Sequence, residues 1–444
     1  MTQKSYEFAE QLLKAVKLAG ADTSDLMIFS NQSKEIEVRL GKLENLTSAE
    51  NVGFSLRAIK GKRPAIISAN RIEFREIDNI AKKIVEMASL VPEDEFLNIA
   101  EDSAYDIPDL DLFDSTIPKE EDLLILASNL EAAALNVAGV TNSSGGSAYY
   151  STSNILLATS NNFMKSYQTS IHGFSASVIA GTGESMQTYG DGFSAVYYND
   201  LIDPAIFGTK IGEEAIAKLN PRKIPTAKMP VIFDKKVAKS ILSAFASAIN
   251  GANVSRGTTF LQNSMNERIF GENINIFDDP LIIRGKGSRP FDGEAVKTSK
   301  LQIVEDGKLR EWLLDLRSKA QLGLSRVTGN ASRGLAVPPS PSTSNFYLAN
   351  GVSSKEELIA DIKSGVYISE LFGHGGNVIT GDFSQGASGF MIENGKITYP
   401  VSEITVAFNL GDLFLNLTAA NDLEFTYATN SPTILAHNLT VAGV

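Results

Sequence analysis

The sequence has no cysteine, only three histidines and a single tryptophan in 444 residues. Without thiols there can be no disulfide, no thiolate nucleophile and no cysteine-ligated metal. The histidines, at 172, 374 and 437, form no His-Glu-x-x-His pair, so a zinc site would have to gather all of them from distant segments or use carboxylates. No apolar run approaches the ~20 residues that span a bilayer. The opening Met-Thr-Gln-Lys-Ser-Tyr-Glu-Phe also lacks the apolar stretch of a signal peptide. A cytoplasmic protein with no membrane partner is expected. Basic residues are in the minority, 40 Lys and Arg against 52 Asp and Glu, and the net charge of −12 disfavours a nucleic-acid partner. The local exception, Arg284-Gly-Lys-Gly-Ser-Arg289 with Lys297 and Lys300 beyond it, reads as a solvated loop.

What is present is ordinary for a globular chain: 43% hydrophobic and 21% charged residues, and a mean hydropathy of −0.03. The length calls for two or three structural units. Phe8, Leu12, Leu13 and Val16 recur at helical spacing, with Gly20 as a terminator. Leu26–Ser30, Glu35–Leu40 and Gly53–Gly61 alternate or cluster as strands of an antiparallel sheet, and Ile77–Ala88 is a second amphipathic helix. Val91–Pro118, acidic and aperiodic, is a long connection. A helix over Lys119–Val137, a β-meander over Gly139–Tyr198 and a helix over Pro204–Leu219 follow. Asn220–Pro230 reads as a domain linker. Beyond it come a strand at Val231–Phe233, a long helix over Lys235–Ile249 ended by Gly251, mainly β structure, and one more helix opened by a capping box at Ser353 and Glu356. The expected fold is α+β. An N-terminal domain over 1–223, with blocks at about 1–90 and 118–220, carries an antiparallel sheet and flanking helices; a mainly β domain with a long helix covers 224–444.

The stretch from Gly365 to Asn409 sets β-type segments between glycine clusters, as a binding cleft requires and as plain turns also do. Candidate binding residues are Gly373, His374, Gly375, Gly376, Asn377, Gly381, Asp382, Phe383, Ser384, Gly386 and Asn409. Complete catalytic motifs are missing. Asp382-Phe-Ser-Gln-Gly386 lacks the first glycine of a nucleophile elbow, and Gly373–Val378 lacks the third glycine of a dinucleotide fingerprint. His374, Asp382 and Ser384 remain the residues on which a self-sufficient hydrolase would draw; Asp382, Glu393 and Glu403 could supply an acid and base.

Longer stretches carry a resemblance. Arg310-Glu-Trp-Leu-Leu-Asp, Ala320-Gln-Leu-Gly323, Ser325-Arg-Val-Thr-Gly-Asn-Ala331, Thr380–Phe390, Ile392–Thr405, Asn409-Leu and Ala420-Asn-Asp422 resemble the TldD/PmbA family, and specifically its PmbA (TldE) branch. The N-terminal half resembles it more loosely, through Gly53-Phe-Ser-Leu-Arg57 and Tyr167 to Gln187. The resemblance implies peptide processing. The family's TldD branch looks like a zinc peptidase with a His-Glu-x-x-x-His helix and a later cysteine-containing loop. Here Leu242, Ser243 and Ser247 stand where the two histidines and the glutamate would be, and the cysteine loop is missing between Ala428 and Ser431. The implied protein is a subunit without a metal cofactor of its own, paired with a TldD-type partner that supplies zinc and acting on peptide substrate. A homodimer is a further expectation. The label "modulator of DNA gyrase", also attached to the family, implies a regulatory alternative.

Overall fold

The computed structural model describes residues 1–101, 105–373 and 375–443. Its N-terminal half is built on one six-stranded antiparallel sheet. Strands β1 (Thr23–Arg39), β2 (Lys42–Lys60), β3 (Arg63–Ala69), β4 (Val140–Thr159), β5 (Met164–Ala180) and β6 (Gln187–Ala195) lie in the order β3-β2-β1-β4-β5-β6. The two N-terminal sequence blocks therefore share a sheet, joined where β1 pairs with β4 from Asp25–Thr159 to Val38–Gly146. Helices α1 (Gln3–Leu18) and α2 (Ile77–Ser89) seat Phe8, Leu12, Val16, Ala81 and Ile84 on one end of it. The other end is covered by α3 (Glu120–Leu135) and α4 (Pro204–Ala217), through Leu123, Ala127, Leu130 and Ile211. Leu26–Ser30 and Glu35–Arg39 belong to one long strand, because the polar residues between them still alternate across the sheet.

The first strand of the C-terminal half starts within the stretch read as a linker. Strand β7 runs Ala227–Phe233. Pro230 is tolerated there because it faces the bulge between Ala436 and Leu439 of the Ile434–Ala442 strand, where no N–H is needed for the ladder. β7 pairs in parallel with Ser364–Phe372, which pairs with Asp382–Glu393, which pairs with Lys396–Asn409. That last strand pairs with Ile434–Ala442, which returns to β7 and closes a barrel. Helix α5 (Lys235–Ala248), N-capped by Asp234, buries Val237, Ile241 and Phe245 beside it. Gly251 does not end this helix; it opens a short helix, Gly251–Ser255, capped by Asn250. Two further short helices, Leu316–Gln321 and Leu410–Asn416, were hidden because each is too brief to show a helical period, whereas Lys355–Ala360 is the helix expected after the capping box. The capping box lies one residue on from its expected place, at Ser354 and Glu357. No helix among the described residues is long and apolar enough to cross a membrane.

The halves are joined by buried charge. Asp25 and Arg57, on β1 and β2, meet Glu294 and Arg333 of the second half, and all four side chains are at most 3% exposed. Arg57 donates from Nε (2.8 Å) and Nη2 (2.5 Å) to Asp25 and from Nη1 (3.1 Å) to Glu294. Arg333 donates to the other Asp25 oxygen and to the Ser55 carbonyl. Burial alone would raise the Asp25 carboxyl, yet Arg333 and Arg57 hold it below the usual carboxylate range. Burial pushes Glu294 up to about 7 against the pull of Arg57, and pushes Asp292 up to about 6.

Glu294 and Asp292 thus keep their protons to higher pH in the folded chain than in the unfolded one, where they titrate near 4.5 and 3.8. Their contribution to stability is complete below those values and is lost as pH rises through about 6 and 7. Between pH 5 and pH 8 the Tm of the wild-type chain should fall by about 2–5 °C more than that of Glu294→Gln, whose amide cannot ionise. Equal slopes in calorimetry would contradict this.

Candidate functional site

The glycine-rich stretch forms one end of the barrel. Gly373, Gly375, Gly376, Asn377 and Gly381 make the turn between two strands, while Asp382, Phe383, Ser384 and Gly386 begin the second strand. Asn409 lies directly opposite Asp382 on the third. His374 falls outside the described residues. The turn holds itself together. Asn377 N–H donates to the Asp382 carbonyl (2.8 Å), Gly381 N–H to the Asn377 carbonyl (2.8 Å) and Ser384 N–H to the Gly375 carbonyl (2.9 Å). A side chain at Gly375 would run into the Ser384 carbonyl at 2.4 Å. Asp382 accepts from Thr380 Oγ1 (2.7 Å) and Asn409 Nδ2 (3.3 Å), so its carboxylate braces the turn. Phe383 is buried and stacks on Phe408 at 4.6 Å. Phe372 and Ile379 at this end are 55% and 61% exposed, an apolar surface on the rim.

The acid and base drawn from this stretch do not assemble. Asp382 and Glu393 stand at opposite ends of one strand, ~37 Å apart at ~3.4 Å per residue. Glu403 instead pairs with Lys223 at 2.9 Å on the surface. Nor do these strands offer an open edge to which an extended peptide could add as a further strand. Asp382–Glu393 has a hydrogen-bonded neighbour on both sides, because the sheet closes into a barrel. His172 is wholly buried on β5, kept neutral by burial, and His437 is exposed in the bulge opposite Pro230.

Leu242, Ser243 and Ser247 lie on α5. Leu242 is packed in the core. The two serine hydroxyls donate along the helix, Ser243 to the Lys239 carbonyl (2.9 Å) and Ser247 to the Ser243 carbonyl (3.0 Å). An aliphatic side chain and two engaged hydroxyls do not fit zinc, which takes imidazole, thiolate or carboxylate ligands. Among the described residues no three His, Asp or Glu side chains converge to hold a metal ion.

One turn toward the start of α5, the surface becomes a cleft between the two halves of the chain. A cavity of about 320 Å³ lies between Phe193 of β6, Ile206 and Phe207 of α4, Lys235 and Lys236 of α5, and Tyr427. A second, of about 240 Å³, shares Phe193 and Tyr427 and reaches Lys286. Lys236 is paired with Asp191 and donates to Tyr189 Oη (3.0 Å), and Lys235 is paired with Glu424 (2.5 Å). Lys239 and Lys286 have no carboxylate partner among the described residues. The Lys239 ammonium sits 3.2 Å from the centroid of the Tyr427 ring, and Lys286 donates to Ser194 Oγ (2.8 Å) and the Thr426 carbonyl (2.5 Å). Burial, and then the nearby charge of Lys239, push Lys286 down to about 8. Two partly buried cations against aromatic and aliphatic walls suit an anionic, partly apolar ligand.

The sequence reading missed this cleft and took Arg284–Arg289 for a solvated loop. In the structure Arg284 pairs with Asp111 (2.6 Å) and Asp200 (2.9 Å), and Gly285 and Gly287 let the backbone press against Ser344 and Asn345. Glycines on both sides of Lys286 were the available signal.

Three family models cover most of the chain. Residues 25–88 match domain 1, 113–219 the central domain and 226–443 the C-terminal domain of the PmbA/TldA metallopeptidases. The "Metalloprotease PmbA" of Escherichia coli O157:H7 is 31% identical over an alignment covering 98% of this chain and 96% of that protein. The chain belongs to the PmbA/TldD family. A PmbA homologue of Haemophilus influenzae is 29% identical with the same coverage. Among solved PmbA/TldD-like structures, a Bacteroides thetaiotaomicron protein described as a candidate modulator of DNA gyrase superposes over the whole of both chains with a TM-score of 0.92 at 25% identity. TldE from Thermococcus kodakarensis shares the fold, with a TM-score of 0.82 at 19% identity over 98% of this chain and all of that one.

Competitive acetylation read by peptide mass spectrometry should give Lys286 a reactivity midpoint near 8, rising in Lys239→Met as the neighbouring charge is removed. A midpoint near the ~10.4 of a free lysine would contradict the cleft's electrostatics.

Proposed function

We propose that this PmbA/TldD-family chain is the PmbA/TldE-type subunit of a cytoplasmic peptide-processing metallopeptidase, binding no zinc itself and pairing with a TldD-type chain that supplies it. The observation carrying this reading is the α5 surface. Where the family resemblance puts two histidines and a glutamate, the helix has a core leucine and two serines whose hydroxyls are engaged by its own backbone. The PmbA and TldE names of its relatives are consistent with the same branch. The chain's own contribution is contact with peptide or partner, through the exposed rim at Phe372 and Ile379 and the cationic cleft beside α5. Asp382 is spent on bracing the turn, which weighs against a Ser384-based hydrolase.

Co-expression with a TldD-type chain, assayed on casein-like and small peptide substrates, tests the proposal. Cleavage is expected from the mixture alone, abolished by chelation, with zinc present at one equivalent per TldD-type chain. Stoichiometric zinc in this chain by itself, or peptidase activity of this chain alone that resists chelators and disappears in Ser384→Ala, would overturn it.

A further inference from the structure

The walls of the cleft beside α5 carry more positive charge than they neutralise. Each of their three carboxylates is taken by a cation: Asp191 by Lys236, Glu424 by Lys235 and Asp200 by Arg284. Lys210, Lys239 and Lys286 are left over, without an ion pair among the described residues, in a chain whose net charge is −12. Lys239 and Lys286 are also half-buried. An ammonium has three donors. Lys286 spends two of them, on Ser194 Oγ and the Thr426 carbonyl, while Lys239 has no hydrogen-bond acceptor among the described residues and rests on the face of the Tyr427 ring. Cations held partly out of water with donors to spare are placed for an anion that arrives with the ligand.

The shape of the cleft narrows the ligand further. Its two cavities meet at Phe193 and Tyr427, and the larger one is walled by Ile202, Ile206 and Phe207. Ile206 is 73% exposed, an aliphatic side chain that the described residues leave uncovered. At about 320 Å³ this compartment stands at the small end of ligand pockets, which run from roughly 300 to 1,000 Å³, and it suits one bulky side chain better than a folded surface. Positive charge borders it directly, since the Lys286 ammonium is 5.5 Å from the Phe193 ring centroid and that of Lys239 is 3.2 Å from the Tyr427 centroid. The end of a peptide has this form, because the last side chain and the α-carboxylate leave the same Cα atom.

A phosphate is a poorer match. Phosphates are gripped by free backbone N–H groups and by Arg forks. Here the N–H groups of Gly285 and Gly287 donate to the Ile282 carbonyl (3.0 Å) and Asn345 Oδ1 (2.8 Å), and Asp234 caps the first turn of α5. Arg284 is held by Asp111 and Asp200. Lysines remain, single point charges that match a singly charged carboxylate.

We propose that the cleft anchors the C-terminus of a peptide: the α-carboxylate lies between Lys239 and Lys286, and an apolar last side chain fills the space between Phe193, Ile206 and Phe207. The proposal rests on the peptide-processing reading for its substrate class and adds which end of the peptide this chain holds.

Fluorescence anisotropy on this chain alone, with no TldD-type partner and no zinc, tests it. N-terminally labelled pentapeptides ending in Phe with a free carboxylate are expected to bind saturably, about tenfold or more tighter than the same peptides with a C-terminal amide or those ending in Gly. Lys286→Met and Lys239→Met should each weaken the acid about tenfold and leave the amide unchanged, and Lys82→Met, at an exposed position of α2, should change nothing. The comparison of acid with amide needs no substitution, so it stands whatever Lys286→Met does to folding. Bound acid should also raise the Lys286 reactivity midpoint above 8, because a carboxylate favours the ammonium form, and the amide should leave it there. Absence of saturable binding up to about 1 mM, equal affinity for acid and amide, indifference to both lysine substitutions, or displacement by inorganic phosphate at concentrations where acetate has no effect would overturn the inference. The two-chain zinc reading is judged separately, by cleavage and metal content, and zinc or peptidase activity in this chain alone would overturn that reading without touching the anchor.

Discussion

The rest of the structure depends on the buried quartet of Asp25, Arg57, Glu294 and Arg333. Each half of the chain contributes one acid and one base; Asp25 and Arg57 pair within the first half, whereas Glu294 and Arg333 find their partners only across the halves. A buried charge deprived of its partner costs about 3–5 kcal/mol, more than most single contacts in a marginally stable protein. The quartet therefore acts as a registration device. It fixes β1 and β2 against the segments around Glu294 and Arg333, and that alignment sets β6 and α4 opposite α5. The cleft exists because two separately ordered surfaces are held at one angle. Arg317 with Asp94 and the packing of Phe163 on Phe291 reinforce the same alignment from the side.

On α5 the chemistry follows from what a helix does with unneeded polar positions. A serine in a helix can return its hydroxyl to the carbonyl one turn back, as Ser243 and Ser247 do, and so becomes inert without disturbing the backbone. The neighbouring turn presents ammonium groups toward Tyr427 and Asp191. A surface of this kind can hold and orient an anionic, partly apolar ligand.

Much of the architecture was legible in the sequence because it rests on periodicity. The spacing of Phe8, Leu12 and Val16, or of Val237, Ile241 and Phe245, reports a helix face directly, and the alternation in Glu35–Leu40 reports a strand. The glycine turn was legible too, since Gly375 must admit a neighbouring carbonyl and Gly373 and Gly381 take positive φ. What escaped depends on contacts distant in sequence. Nothing local marks Arg57 and Glu294 as partners, or tells that Lys286 lies under Thr426 while Arg284 reaches Asp111. Barrel closure was hidden for the same reason: a strand's neighbours are not written in its own residues.

Closing the barrel also has a consequence for the order of events during synthesis. The N-terminal sheet has all its strands once Ala195 has been made, and Asp25 and Arg57 can already neutralise one another. β7, by contrast, waits for both its neighbours. Its parallel partner begins at Ser364 and its antiparallel one at Ile434, so the second half remains an open ribbon until nearly all of it has left the ribosome. Such late, non-local closure is slow and leaves strand edges bare in the interval. The first half, already folded, is then the surface on which the second half assembles.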